Sequence, residues 1–313
     1  MISKRARLQK TLTRHVMRPC LSTRRSLEQQ RTWLDRLGAL SPLPWGTRIL
    51  PAEVGGVPGE WLANSGADGD RLVIYLHGGG YCIGSPRSHR NIAARMARGL
   101  ACPVWLPEYR LAPEHPFPAP LYDVLRMYRA LLARGVTPDR IVLAGDSAGG
   151  GLVLASCMLM RQLGLALPRA LLCISPWVDL SLSGQSIDTL AAVDPLVDRQ
   201  WIDWLASEYC QGEDRRHPLI SPLHGQFHDL PPVLLQLGSD EMLRSEVELL
   251  HQRLLQAGVA SELQIGEGMW HDWPLFGGLM PEADAAIDHA VQFLRRAGGW
   301  QEQARPDRFP VAA

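Results

Sequence analysis

The sequence predicts an α/β fold, a mostly parallel sheet covered by helices on both faces. Three observations predict it. Short apolar runs of strand length alternate with longer helical patterns from residue 46 onward. The buried-strand runs carry apolar residues without a polar alternation, as strands covered on both faces do. Two glycine-rich turns, LHGGGYCIGS at 76–85 and GDSAGGG at 145–151, each directly follow such a run.

In chain order, residues 1–45 form an N-terminal helical cap segment. Leu8, Leu12 and Val16 recur every four residues, and Leu27, Trp33, Leu34 and Leu37 make a second helical set with Ser26 as its cap. Both are expected to pack their apolar sides inward. Residues 1–36 hold ten Lys/Arg against Glu28 and Asp35. That local excess reads first as a solvated face, with docking of the first helix on a membrane surface as the alternative.

After the turn-rich SPLPWG at 41–46, strands are expected at 72–76, 103–106, 140–144, 170–174, 233–237 and 262–265. Helices are expected at 88–99, 120–133, 148–163, 243–257 and 282–296. The catalytic domain spans 46–300. It carries a lid insertion at about 176–231, whose RQWIDWLASEYC reads as a helix with Trp and Leu on one face. Residues 301–313 are left as a C-terminal tail.

Composition narrows the function classes. The 32 basic and 32 acidic residues cancel, so no global field draws in nucleic acid. The six cysteines lack any CxxC or zinc-type spacing and read as reduced core residues, and no metal is expected. No apolar stretch has signal-peptide or membrane-spanning length, so a cytoplasmic protein without stable membrane insertion is the simplest expectation.

A strand ending at Ala144 and a helix starting near Ala148 place Ser147 on a sharp turn, where Gly145 and Gly149 leave room for strained backbone. The hydroxyl is then held out at the C-terminal edge of the sheet. In the loop at 76–85, three successive glycines leave amides uncovered by side chains, suited to the negative charge that develops in acyl transfer. The amides of Gly78, Gly79 and Ala148 are assigned to this oxyanion hole. His271 in GMWHDWPLF, after the last expected strand, supplies the base. For the acid that orients it, Asp240 in GSDEML is preferred over its neighbour Glu241, because a shorter carboxylate nearer the strand end suits a rigid role. The order serine, acid, histidine is that of the α/β-hydrolases. Tyr81, Trp177, Trp201 and Trp204 are the expected pocket aromatics.

With HGGG, YRLAPEHPFPAP (109–120), GDSAGGG, SPWVDLS (175–181), GSDEML (238–243) and GMWHDW (268–273) in this order, the chain resembles the hormone-sensitive-lipase branch of carboxylesterases, an α/β-hydrolase family. The resemblance runs from about residue 50 to 297. It implies an eight-stranded, mainly parallel sheet, a helical cap made of the N-terminus and the insertion, and a serine esterase for short to medium acyl chains. It implies no metal and no organic cofactor. Glu114 and His115 are assigned a structural role in a rigid proline loop behind the oxyanion hole. The chain departs from many relatives in following its histidine with Asp272 and Trp273. A lactone hydrolase with the same triad is the alternative within this chemistry. A non-catalytic receptor for a small ligand is the alternative outside it, and a homodimer through an edge helix or strand is compatible with the resemblance.

Overall fold

The computed structural model describes residues 2–300. Eight strands form one sheet: β1 (Arg48–Val54), β2 (Val57–Ala63), β3 (Leu72–Leu76), β4 (Val104–Pro107), β5 (Ile141–Asp146), β6 (Ala170–Ile174), β7 (Val233–Gly238) and β8 (Ser261–Gly266). Their order across the sheet is β1-β2-β4-β3-β5-β6-β7-β8. From β4 through β8 the pairings are parallel, whereas β1 with β2 and β2 with β4 are antiparallel.

The main helices are α1 (Lys4–Leu12), α2 (Leu27–Leu40), α3 (Pro86–Leu100), α4 (Ala119–Ala133), α5 (Ser147–Gln162), α6 (Arg199–Cys210), α7 (Arg244–Gln256) and α8 (Pro281–Gly298). The period-2 geometry of a strand explains how they share the sheet. On β3, Leu72, Ile74 and Leu76 enter one apolar cluster with Val124 of α4, Leu152 of α5 and Val247 of α7. Val73 and Tyr75 enter the other, with Ile92 and Met96 of α3 and Ala290 and Leu294 of α8. Every side chain of β3 is therefore buried, which is why that strand reads as an unbroken apolar run.

Six of the eight strands coincide with the expected runs. The eight strands that the resemblance implies are present, but the apolar runs do not locate the antiparallel β1 and β2: Pro51, Pro58, Gly59 and two glutamates interrupt their pattern, and β1 is largely exposed at the sheet edge. The second N-terminal helix starts as expected, with Ser26 and Gln29 forming a capping box. Its Leu27, Trp33 and Leu34 pack against the core. The first helix differs. Leu8, Leu12 and Val16 are 62%, 43% and 51% exposed, so this apolar set does not pack into the core as expected. Five cysteines are buried and Cys20 is half-buried, and none is disulfide-bonded. Among the described residues, no helix is long and apolar enough to cross a membrane. The expected tail at 301–313 lies outside the described residues.

Candidate active site

The turn between β5 and α5 carries Ser147 with φ 49°, in the left-handed region that a residue with a Cβ rarely adopts. The backbone is packed too tightly there for larger neighbours. A Cβ on Gly149 would lie 2.0 Å from the carbonyl oxygen of Leu76, and one on Gly78 would lie 2.1 Å from Asp146 Oδ2. Beneath the serine, Asp146 is wholly buried and accepts from the Tyr75 hydroxyl at 2.8 Å and pairs with His89 Nε2 at 3.2 Å. Burial would raise the Asp146 carboxyl, but the charge and hydrogen bond of His89, with that of Tyr75, hold it below its ordinary value.

Ser147 Oγ lies 3.0 Å from Nε2 of His271, which the loop after β8 delivers. Nδ1 of the same ring lies 3.1 Å from Oε1 of Glu241. This corrects the sequence expectation of Asp240. Beyond β7 the chain turns so that Asp240 points away from the histidine and pairs with Lys10 of α1, while the longer Glu241 side chain reaches back. Its second oxygen accepts from the Gly238 amide at 2.9 Å and from the Ser175 hydroxyl at 2.8 Å. Glu241 is thereby fixed at both oxygens.

Asp272 makes the site unusual. Its backbone is left-handed at φ 58°, and its amide donates to Ser175 Oγ at 3.0 Å. Its Oδ2 lies 3.1 Å from His271 Nε2, the same nitrogen that faces the serine, while its Oδ1 is buried without a partner. Burial pushes the Asp272 carboxyl up to about 7; His271 opposes that shift and the Asp146 charge adds to it. For His271, burial acts to lower its basicity, but Asp272 and then Glu241 outweigh burial and hold the imidazole well above its ordinary value. Asp194, which lies in none of the sequence motifs, accepts the amides of Leu196, Val197 and Met242, and so ties the insertion to the turn bearing Glu241.

Ser147, His271, Gly79 and Gly80 open onto an apolar cavity of about 300 Å³. Its walls come from the N-terminal helical segment, from the stretch between β6 and β7 and from the loop after β8, with Leu12, Trp33, Leu37, Trp177, Trp201 and Phe276 among them. Trp177 and Trp201 therefore lie where the sequence placed them, and Trp201 is held by donating Nε1–H to Gln30 at 2.9 Å. Tyr81 and Trp204 do not line the cavity. Tyr81, turned by a left-handed φ of 63°, is buried and stacks on Tyr209 with ring centroids 3.8 Å apart. Trp204 instead donates to Glu208 on the same helix at 2.9 Å.

The amides of Gly78, Gly79 and Ala148 have no hydrogen-bond acceptor among the described residues, and Ala148 lies in the first turn of α5, where helical amides are unpaired. Arg31 of α2 braces the glycine loop from outside. It donates to the carbonyls of Cys82 and Ala112 at 2.8 Å each and pairs with both oxygens of Glu114. Glu114 is structural, as expected. Among the described residues no group of His, Cys, Asp and Glu is arranged to hold a metal ion.

Comparison with known proteins agrees with this geometry. Residues 73–275 match the family described as alpha/beta hydrolase fold. An acetyl-hydrolase of Streptomyces hygroscopicus is 42% identical over 246 residues, covering 79% of this chain and 82% of that protein. An ethyl acetate hydrolase of Pseudomonas putida is 32% identical, covering 84% of each. The crystal structure of an esterase from the bacterial hormone-sensitive lipase family superposes with a TM-score of 0.91 at 39% identity, covering 96% of this chain and all of that one.

Proposed function

Because the chain belongs to the α/β-hydrolase fold family, in its hormone-sensitive-lipase-like branch of carboxylic ester hydrolases, we propose that it cleaves small apolar esters through an acyl-enzyme on Ser147. The observation that carries this reading is the relay from Ser147 through His271 to Glu241 at the floor of an apolar cavity. Neutral His271 donates Nδ1–H to Glu241 and leaves Nε2 to take the serine proton as Oγ attacks the ester carbonyl. The oxyanion is received by the amides of Gly78, Gly79 and Ala148, each of which contributes about 3 to 4 kcal/mol by analogy with measured oxyanion donors. The imidazolium, held by Glu241, then protonates the leaving alkoxide. Water repeats the attack on the acyl-enzyme with the same base and frees the serine.

A cavity near the lower end of the usual ligand-site range of about 300–1,000 Å³ supports short to medium acyl groups. The test is a p-nitrophenyl ester series from acetate to palmitate, with lactones beside it. Turnover peaking at short chains and falling by about 10⁴-fold or more in Ser147→Ala is expected. Residual turnover of Ser147→Ala close to that of the parent chain overturns the assignment.

A further inference from the structure

Leu12, Val16 and Leu279 line the cavity and are also 43%, 51% and 42% exposed, so the cavity meets solvent between them. The apolar rim continues beyond the cavity. Leu8, one turn before Leu12, is 62% exposed, and Leu40, next to the cavity-lining Ser41, is 83% exposed. Exposed apolar side chains are commonplace singly, but a set gathered around one opening marks a contact surface.

The same segment carries uncompensated positive charge. Lys4, Arg5 and Arg7 are exposed on α1, Arg24 and Arg25 precede α2, and Arg36 is exposed on it. Among the described residues, none of these six has a hydrogen bond or ion pair from its side chain. Glu28 and Asp35 are the two acids of residues 1–36, and they leave most of the ten basic residues of that segment in excess. Helix stability does not account for the charge either. The first turn of α1 holds basic residues and no acidic one, the unfavourable sign for the positive end of a helix dipole.

We propose that this rim docks on an anionic lipid surface, with Leu8, Leu12, Val16 and Leu40 against the acyl region and Lys4, Arg5 and Arg7 against the headgroups. The cavity mouth then faces the phase in which apolar esters dissolve. This rests on the ester-hydrolase reading only for its purpose; the docking itself needs no turnover. A second copy of the chain is the poorer occupant, because a two-fold contact sets a patch against itself and would bring these basic residues together.

The test is sedimentation of the full chain with vesicles of phosphatidylcholine alone or with 30% phosphatidylglycerol, at low and high salt. Docking predicts co-sedimentation with the anionic vesicles that falls as salt rises. The triple variant Lys4→Glu/Arg5→Glu/Arg7→Glu should bind about 100-fold more weakly, since each basic residue at such a surface is worth about fivefold. Glutamate at positions 4 and 5 suits the positive end of the helix dipole, and an unchanged circular dichroism spectrum of the triple variant separates lost binding from a folding defect. Leu8→Ser/Leu40→Ser should also release the protein, with hydrolysis of dissolved p-nitrophenyl acetate unchanged in both variants. Equal sedimentation with neutral and anionic vesicles, no sedimentation with either, or undiminished binding by the triple variant overturns the proposal. So does a dimer in analytical ultracentrifugation that Leu8→Ser/Leu40→Ser dissociates. Because Ser147→Ala should sediment like the parent chain, failure of docking and failure of the esterase reading are separable.

Discussion

Two carboxylates touch the imidazole of His271, and their surroundings differ. Glu241, on the turn after β7, has both oxygens engaged by the ring, the Gly238 amide and the Ser175 hydroxyl. Asp272, on the loop after β8, reaches the opposite ring nitrogen with one oxygen and has its other buried without a partner. A fully satisfied carboxylate is locked in place and can hold a ring orientation. An under-satisfied one in the same low-dielectric site acts mainly through its charge. One ring is thus oriented from one side and tuned from the other.

Substitutions can break or sharpen that contrast. The largest effect is expected for Glu241→Gln, which loses the charge behind Nδ1 and permits the wrong tautomer; kcat should fall by about 10³- to 10⁴-fold with little change in KM. A loss below tenfold in steady-state kinetics would remove Glu241 from the orienting role. Asp272→Asn should be milder, keeping the plateau of kcat within about tenfold, and its signature lies in pH dependence. The working base is neutral His271, and the Asp272 charge raises its affinity for a proton. Removing that charge lowers the histidine value, so the acid limb of the kcat/KM profile should move to lower pH. An unmoved limb, or one displaced to higher pH, would show that Asp272 does not tune the ring. Asp240→Asn should matter least: its pair with Lys10 is partly solvated and worth about 1 kcal/mol or less, so kcat should hold and the melting temperature drop by only a few degrees. A kcat loss approaching that of Glu241→Gln would return the acid role to Asp240.

Much of this site was legible in the sequence because its determinants are local. Ser147 needs a strand, a tight turn and small neighbours, all within a few residues, and the histidine loop directly follows a strand. The choice between Asp240 and Glu241 was not local. It depends on how the chain leaves β7 and on a hydroxyl from Ser175, 66 positions earlier in sequence than Glu241. The pocket aromatics divide on the same principle. Trp201 faces the cavity because Gln30 of the cap holds it, while the left-handed backbone at Tyr81 turns that ring into the core. Leu8, Leu12 and Val16 have correct helical spacing, but spacing alone gives a face and not what covers it.

Arg31 connects the two halves of the molecule more tightly than a lid requires. Its guanidinium joins α2 to Cys82 at the end of the glycine loop and to Ala112 and Glu114 of the proline-rich block. The cap is in this respect a keystone: the piece that closes the chamber also clamps the backbone whose amides await the anion. Removing α2 would not yield a wider-mouthed version of the same catalyst, since the opening and the brace behind the anion site would be lost together. Changes in substrate range are therefore open to this architecture through side chains on α1 and α2, and closed to it through loss of α2 itself.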